Sequence, residues 1–122
     1  MRSSKPACIQ RGGTGISACS GDMLLEALVA CAGVTLSAVA TALELPVRDA
    51  RVRAEGDLDF RGTLGVAKAA PVGFRNIRIS FEIDGDLNEE RRARLMRLTE
   101  RYCVVNQILC TPPPIAVASS KA

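Results

Sequence analysis

Apolar and polar positions divide this chain into blocks of different period. From Met23 to Leu43 the apolar residues run almost all the way round a helical wheel, with no Pro inside the run and Ala, Leu and Met prominent. Propensity and pattern agree on one helix of roughly 30 Å at about 1.5 Å per residue. Ser20 is a good N-cap for it, and Asp22 falls in the first turn, where an acid suits the positive end of the helix dipole. Such a helix is expected to be buried on most sides, with everything else packed around it. A membrane span needs about 20 apolar residues, so the run has to be tested as one. Glu26 interrupts it near one end, Thr35, Ser37 and Thr41 dilute it near the other, and the flanks lack an aromatic belt and a basic cluster. A core helix fits better than a span.

Glu44-Leu45-Pro46 ends the helix, since Pro disfavours helical backbone in the residue before it. Ala50 to Gly56 then alternates apolar with charged, as a strand with one wet face does. Asp57 to Pro71 is rich in Gly and Ala, with Phe60, Leu64 and Val66 expected to anchor an extended loop or second strand. The clearest strand is Phe74 to Asp84, which puts Ile77, Ile79, Phe81 and Ile83 on one face. Asn88 is a plausible N-cap for a second helix, with Glu89 and Glu90 in its first turn. Ala93, Leu95 and Met96 are expected in the core, while Arg91, Arg92, Arg94, Arg97 and Arg101 form a solvated face. Tyr102 and Cys103 end this helix or link it to a shorter segment, Val104 to Leu109. Pro112 to Pro114 break helix outright, and Ile115 to Ala118 suit a short terminal strand.

The order is helix, strands, helix, strand. The expected fold class is α+β, a long buried central helix packed on an antiparallel sheet, with a second helix before a C-terminal strand. At 122 residues the chain forms one domain, expected over 12–118, with a poorly specified segment 1–11 before it and a tail 119–122 after it. Its hydrophobic content of 48% fills a core of that size, and with three Phe, one Tyr and no Trp that core is aliphatic.

Charge and chemistry narrow the function. The net charge is only +3 with bases spread among acids, which together with scarce aromatics argues against a nucleic-acid partner. Met1 to Gln10 has no apolar core of a signal peptide, so a cytoplasmic location is expected. Gly13-x-Gly15-x-x-Ala18 matches a loosened dinucleotide fingerprint, but no strand precedes it, and its glycines are read as turn residues. Histidine is absent, which excludes Ser-His and Cys-His catalysis and removes the commonest metal ligand. Five cysteines, at 8, 19, 31, 103 and 110, are an odd number without C-x-x-C spacing, which argues against a disulfide framework or a zinc site. Thiols are therefore the best candidates for chemistry.

On a straight helix Cys31 shares its face with Leu24, Ala27, Leu28, Val34, Thr35 and Ala38. That face is small and apolar. Taken alone it favours an inert core cysteine, its pKa raised by burial. In a compact domain Cys103 could meet it, although sequence separation does not show that.

Gly21-Asp22-Met23-Leu24-Leu25-Glu26-Ala27-Leu28-Val29-Ala30-Cys31 resembles the cysteine helix of the OsmC/Ohr family, the osmotically inducible and organic hydroperoxide resistance proteins. Glu100 to Asn106 resembles the family's second cysteine motif, and the strands between, with Pro114 to Val117, follow its order; the likeness runs from Gly12 to Val117. It implies a thiol peroxidase acting on organic hydroperoxides, in which Cys31 becomes a sulfenic acid and Cys103 resolves it as a disulfide. It also implies a homodimer and no bound cofactor or metal, with a dithiol or lipoylated reductant as co-substrate; no membrane partner is expected. Asp22 stands where the family usually has a glutamate and is carried over as a third site residue. The family's catalytic arginine comes from strands upstream of the glycine loop, which this chain is expected to lack; Arg2 and Arg11 are the only arginines there, and neither sits in a strand-like pattern. An OsmC-like binding or structural domain without turnover is therefore the alternative. Cys8, Cys19 and Cys110 have no assigned role, although Cys110 is near enough in sequence to compete as a resolving partner. Asp22 precedes Cys31 by about 13.5 Å along the helix and on its opposite face, so it could serve a thiol only across a second helix or subunit.

Overall fold

The computed structural model describes residues 2–3 and 20–121. Among the described residues seven elements follow in chain order: β1 (Arg2–Ser3), α1 (Ser20–Ala42), β2 (Val47–Leu58), α2 (Phe60–Thr63), β3 (Phe74–Gly85), α3 (Glu89–Tyr102) and α4 (Val104–Cys110). The class is α+β, as expected. The sheet has the order β1-β2-β3, with β1 parallel to β2 and β2 antiparallel to β3. Arg2 is thus in a strand after all, opposite Arg51, which the two-residue length of β1 kept out of any alternating pattern. Cys8, Arg11, Cys19, the Gly13 to Ala18 fingerprint and most of the segment expected to be poorly specified lie outside the described residues.

The long helix begins at Ser20 and ends in a hydrogen-bonded C-cap in addition to Pro46. The Leu45 N–H donates to the Ala40 carbonyl at 2.9 Å and that of Glu44 to Thr41 at 3.1 Å, with Glu44 in the left-handed region at φ 53. This pair of bonds is the Schellman pattern, here with Glu where Gly is usual. Both strands run further than the alternation suggested, because pairing with each other satisfies the flanking residues. Ala50, Val52, Ala54 and Gly56 are buried on the inner face of β2, opposed by half-buried Ile77, Ile79, Phe81 and Ile83 of β3.

Two buried clusters hold α1 on the sheet. Leu25, Leu28, Val29 and Ala32 meet Val52, Ala54 and Cys103. Further along, Leu36 and Ala40 meet Ala50 and Leu95 of α3. Phe81 packs against both clusters. The helix is nevertheless not buried on most sides: Met23, Ala27, Ala30, Val34, Ser37, Ala38 and Thr41, within about 60° of one line along it, are exposed. One small sheet and two short helices cannot surround a helix of 23 residues.

Three other expectations are corrected. Leu64 and Val66 anchor nothing, being 74% and 78% exposed. The Asp59 side chain caps the short helix α2 instead, accepting from the Arg61 N–H at 3.1 Å, and a chain turned into helix there cannot lie along the sheet. In α3 Asn88 caps as expected, accepting from Arg91 N–H at 2.8 Å, and Leu95 is buried; but Ala93 is exposed and Arg92 half-buried, its guanidinium donating to the Ile83 carbonyl at 3.3 Å. The long Arg stem covers the sheet where a methyl group does not reach. Ile115 to Ala118 form no strand: Ile115 is 85% and Val117 92% exposed, and without a paired edge alternation alone makes no ladder.

The start of α1 is fixed by the Phe74 ring. A Cβ at Gly56 would lie 2.5 Å from its Cε1, and one at Gly21 would lie 2.9 Å from its Cζ. The ring lies against both glycines and docks the helix on the hairpin. Gly56→Ala is therefore expected to destabilise the fold by about 1–3 kcal/mol through overpacking, read as a lower denaturation midpoint, whereas an unchanged midpoint would show that Phe74 does not bind the two elements together.

Candidate active site

Cys103 is placed by backbone hydrogen bonding. It is the single extended residue between two helices, at φ −74 and ψ 108. Its N–H donates to the Thr99 carbonyl at 3.0 Å, closing α3, and its carbonyl accepts from the Gln107 N–H at 3.0 Å, opening α4. The two ladders meet at one residue and change direction there. Side chains hold the bend, since the Gln107 amide donates to the Glu100 carbonyl at 2.9 Å and the Asn106 amide to the same oxygen at 3.3 Å. Thr99, fully buried, is satisfied by donating to the Leu95 carbonyl at 2.7 Å. The bend turns α4 back across α1.

A helix that starts this way leaves its first N–H groups without side-chain partners, and none caps α4. Those of Val104 and Val105 face the Cys31 sulfur. Cys103, 1% exposed within the first core cluster, presents its thiol to the same sulfur. Burial is the largest influence on Cys31 and works against ionisation. The Val105 amide, the Cys103 thiol, the Val104 amide and the Thr35 hydroxyl together outweigh it, so Cys31 ionises below the ordinary cysteine value. Cys103 moves the other way. Burial pushes its thiol up, donation to Cys31 and the charge there push it further, and the Asn106 and Val105 amides only partly oppose them. One thiol is set to be the thiolate and its neighbour the proton donor.

The inert reading of Cys31 from its own helix is thus corrected: the residue is only half-buried, and its activating groups come chiefly from a segment more than seventy positions later. No side-chain pattern marks a backbone amide, so these groups are not legible in the sequence. Asp22 is not brought to Cys31. Both lie on the unbroken α1, about 13.5 Å apart along its axis and on opposite sides. Its Oδ1 is buried and has no hydrogen-bond partner among the described residues. Cys110 is an exposed free thiol directed to Asn106 Oδ1 at 3.8 Å. Seven residues of helix place it about 10 Å from Cys103, too far for a disulfide between those two while α4 stays wound. Among the described residues no three His, Cys, Asp or Glu side chains gather as a metal site would require.

A half-buried helix on an antiparallel hairpin, with two free cysteines facing each other at a helix bend, defines a dithiol α+β domain. The chain belongs to the OsmC-like protein family, whose sequence pattern it matches over residues 13–118. No curated protein matches it significantly. Among solved structures it is similar to an OsmC-like protein from Mycoplasma pneumoniae, with 21% identity and a TM-score of 0.64, over 75% of this chain and 61% of that one. It is similar also to a protein from Legionella pneumophila described as an organic hydroperoxide resistance protein OsmC, with 19% identity and a TM-score of 0.65, over 82% of this chain and 67% of that one. At these identities the likeness is one of fold.

The opposed shifts of the two thiols give an order of labelling. Iodoacetamide titrated against pH is expected to modify Cys31 with a midpoint below the ordinary cysteine value and Cys103 only at higher pH, followed by peptide mass spectrometry. Labelling of Cys103 ahead of Cys31 would show that the amides do not act on the Cys31 sulfur.

Proposed function

We propose that this chain is a thiol-dependent peroxidase of organic hydroperoxides. The observation that carries the reading is the Cys31 sulfur held against two backbone amides and the Cys103 thiol. The Cys31 thiolate attacks the outer peroxide oxygen; the O–O bond breaks, the alkoxide leaves and takes a proton from water as the alcohol, and Cys31 becomes a sulfenic acid. The Cys103 sulfur, having lost its proton, then attacks the Cys31 sulfur. The S–O bond breaks, hydroxide departs and is protonated to water, and a Cys31–Cys103 disulfide remains. An external dithiol, such as a lipoylated carrier, reduces it by exchange and is itself oxidised to its disulfide. No metal or bound cofactor enters these steps. With tert-butyl hydroperoxide, Cys31→Ser is expected to abolish consumption, while Cys103→Ser reacts once per chain and stops as a sulfenic or over-oxidised acid. Consumption by Cys31→Ser equal to that of the parent would remove the enzyme reading in favour of an OsmC-like domain without turnover.

The same reading includes a homodimer. The exposed stripe of α1, with Val34 71% and Met23 63% exposed, is apolar over most of its length and passes beside Cys31. α1 is long and apolar enough to cross a membrane, yet it packs on β2, α3 and α4, which leaves this stripe as the surplus. Two copies joined along it bury that surplus and set groups of one subunit beside Cys31 of the other. The parent is expected to sediment as a dimer at micromolar concentration and Val34→Glu as a folded monomer. A parent that is monomeric when folded and reduced would overturn this arrangement.

A further inference from the structure

The arginines of this chain fall into two sets. On the sheet and in α2, Arg48, Arg51, Arg53, Arg61 and Arg78 each stand within 3.9 Å of a carboxylate. On α3, Arg91, Arg94, Arg97 and Arg101 are exposed, and none has an ion pair among the described residues. Spaced by three, three and four residues, they lie within about 120° of one another around the helix and run about 15 Å along it. Each is a neighbour of the next at i+3 or i+4, where like charges destabilise a helix. Glu90 and Glu100 stand four residues before Arg94 and three after Arg97, yet they form no pair with them. A face needed only for solubility could pair its signs, as the sheet does.

The stripe ends at the dithiol. The Arg101 guanidinium lies over the Tyr102 ring, 5.6 Å from its centroid, and Tyr102 and Val104, on either side of Cys103, are 59% and 62% exposed. A cation stacked on an exposed ring joins the two residue types that most often anchor an interface. We propose that the arginine stripe of α3 and Tyr102 are the docking face for the reductant, and that this reductant is a protein dithiol set in an acidic surface. The inference rests on the proposed peroxidase cycle, which leaves a Cys31–Cys103 disulfide to be reduced. Cys103 is 1% exposed, so attack by a carrier thiolate falls on the half-buried Cys31. The S–S bond breaks, a mixed disulfide forms, and Cys103 takes a proton. The second carrier thiol then displaces Cys31, so that the carrier leaves as its disulfide, oxidised by two electrons, and both cysteines are thiols again. A nucleic acid, with a phosphate every few ångströms, would meet Glu89, Glu90 and Glu100 along with the arginines, and neither it nor a lipid surface brings a dithiol. Carboxylates on a folded surface can be placed to meet the arginines alone. Charge of this kind speeds encounter more than it tightens the complex, which suits a carrier that must leave after each exchange.

The test runs the exchange in reverse on the reduced chain and needs no peroxide. Cys8, Cys19 and Cys110 are replaced by Ser, which leaves Cys31 and Cys103 as the thiols of the parent. The probes are three single-cysteine peptides activated as thiopyridyl disulfides, with several Glu, Gln or Lys residues around the cysteine. Cys31 attacks the peptide sulfur, the S–S bond breaks and thiopyridone is released, which absorbance follows; Cys103 then displaces the peptide as its thiol. At low salt the parent is expected to react about tenfold faster with the Glu peptide than with the Gln peptide, and more slowly with the Lys peptide, a difference that fades near about 0.5 M salt. Arg94→Gln, Arg97→Gln and Arg101→Gln together are expected to remove the preference, and the same three changed to Glu to reverse it. Neutral dipyridyl disulfide is expected to react at one rate with all three chains. Equal rates with the three peptides, or a preference kept by both variants, overturns the docking face. So does a Glu variant that turns a dimeric parent into a folded monomer, since the stripe then serves a second copy. A short DNA duplex or phosphatidylglycerol vesicle that binds the parent but not the Gln variant overturns the choice of a protein partner. Consumption of tert-butyl hydroperoxide is measured separately. None, with the preference intact, defeats the peroxidase reading and leaves the docking face, and consumption without the preference does the reverse.

Discussion

One residue of extended backbone at Cys103 decides where everything near the thiols lies. Had α3 continued as helix through that position, its amides would have been spent on its own carbonyls and the following segment would have run on past α1. The break uses Cys103 for both ladders, its N–H for α3 and its carbonyl for α4. Two consequences follow together: α4 starts with unspent N–H groups, and it starts across from α1. Burial of the Cys103 side chain in the core cluster fixes the bend from within, while Asn106 and Gln107 tie it to Glu100 from outside. Side chain, carbonyl and amides of one short stretch therefore locate the Cys31 sulfur more closely than anything on its own helix.

The sheet supports this without taking part in it. Its inner face is aliphatic and holds α1, and its outer face is a ladder of charges closed on itself. Arg78 reaches Asp57 at 2.8 Å and Glu55 at 3.7 Å, Arg48 reaches Asp84 at 3.0 Å, and Arg51 approaches Glu82 at 3.9 Å. Exposed pairs of this kind contribute little to stability. Their effect is on association, since a face of mutually satisfied charges offers little gain to a partner that must desolvate it. The apolar stripe of α1 has no such covering, and it borders the thiol.

How much of this was legible in the sequence depends on whether a feature has a side-chain signature. The helix from Ser20, the hairpin partner at Phe74 to Gly85 and the Asn88 cap each announce themselves by period or by a capping residue. Leu64, Val66, Ile115 and Val117 are apolar yet exposed, because α2 is held by the Asp59 cap and the last segment lies along no strand. Ala93 and Arg92 exchanged places because a long stem covers more apolar surface than a methyl group. The meeting of Cys31 with Cys103 was implied by resemblance alone; the seventy-one residues between them carry no local trace of it. The environment of Cys31 was the least visible part, because amides are common to every residue and only the fold says which are unspent.

That environment bears on what a cation near the thiol would have to do. A cation near a thiol performs two separable tasks, stabilising the thiolate and attracting or polarising an anionic or peroxidic substrate. Neutral donors fixed by backbone can perform the first, since a hydrogen bond to the charged form lowers a pKa without any formal charge nearby. They perform little of the second, because the field of a dipole falls off faster than that of a charge and draws in no counter-ion. Among the described residues of this chain the first task rests on Val104, Val105, Cys103 and Thr35. What an arginine would add is reach beyond the sulfur. A cation would therefore weigh on the capture and polarisation of a peroxide more than on the ionisation of Cys31.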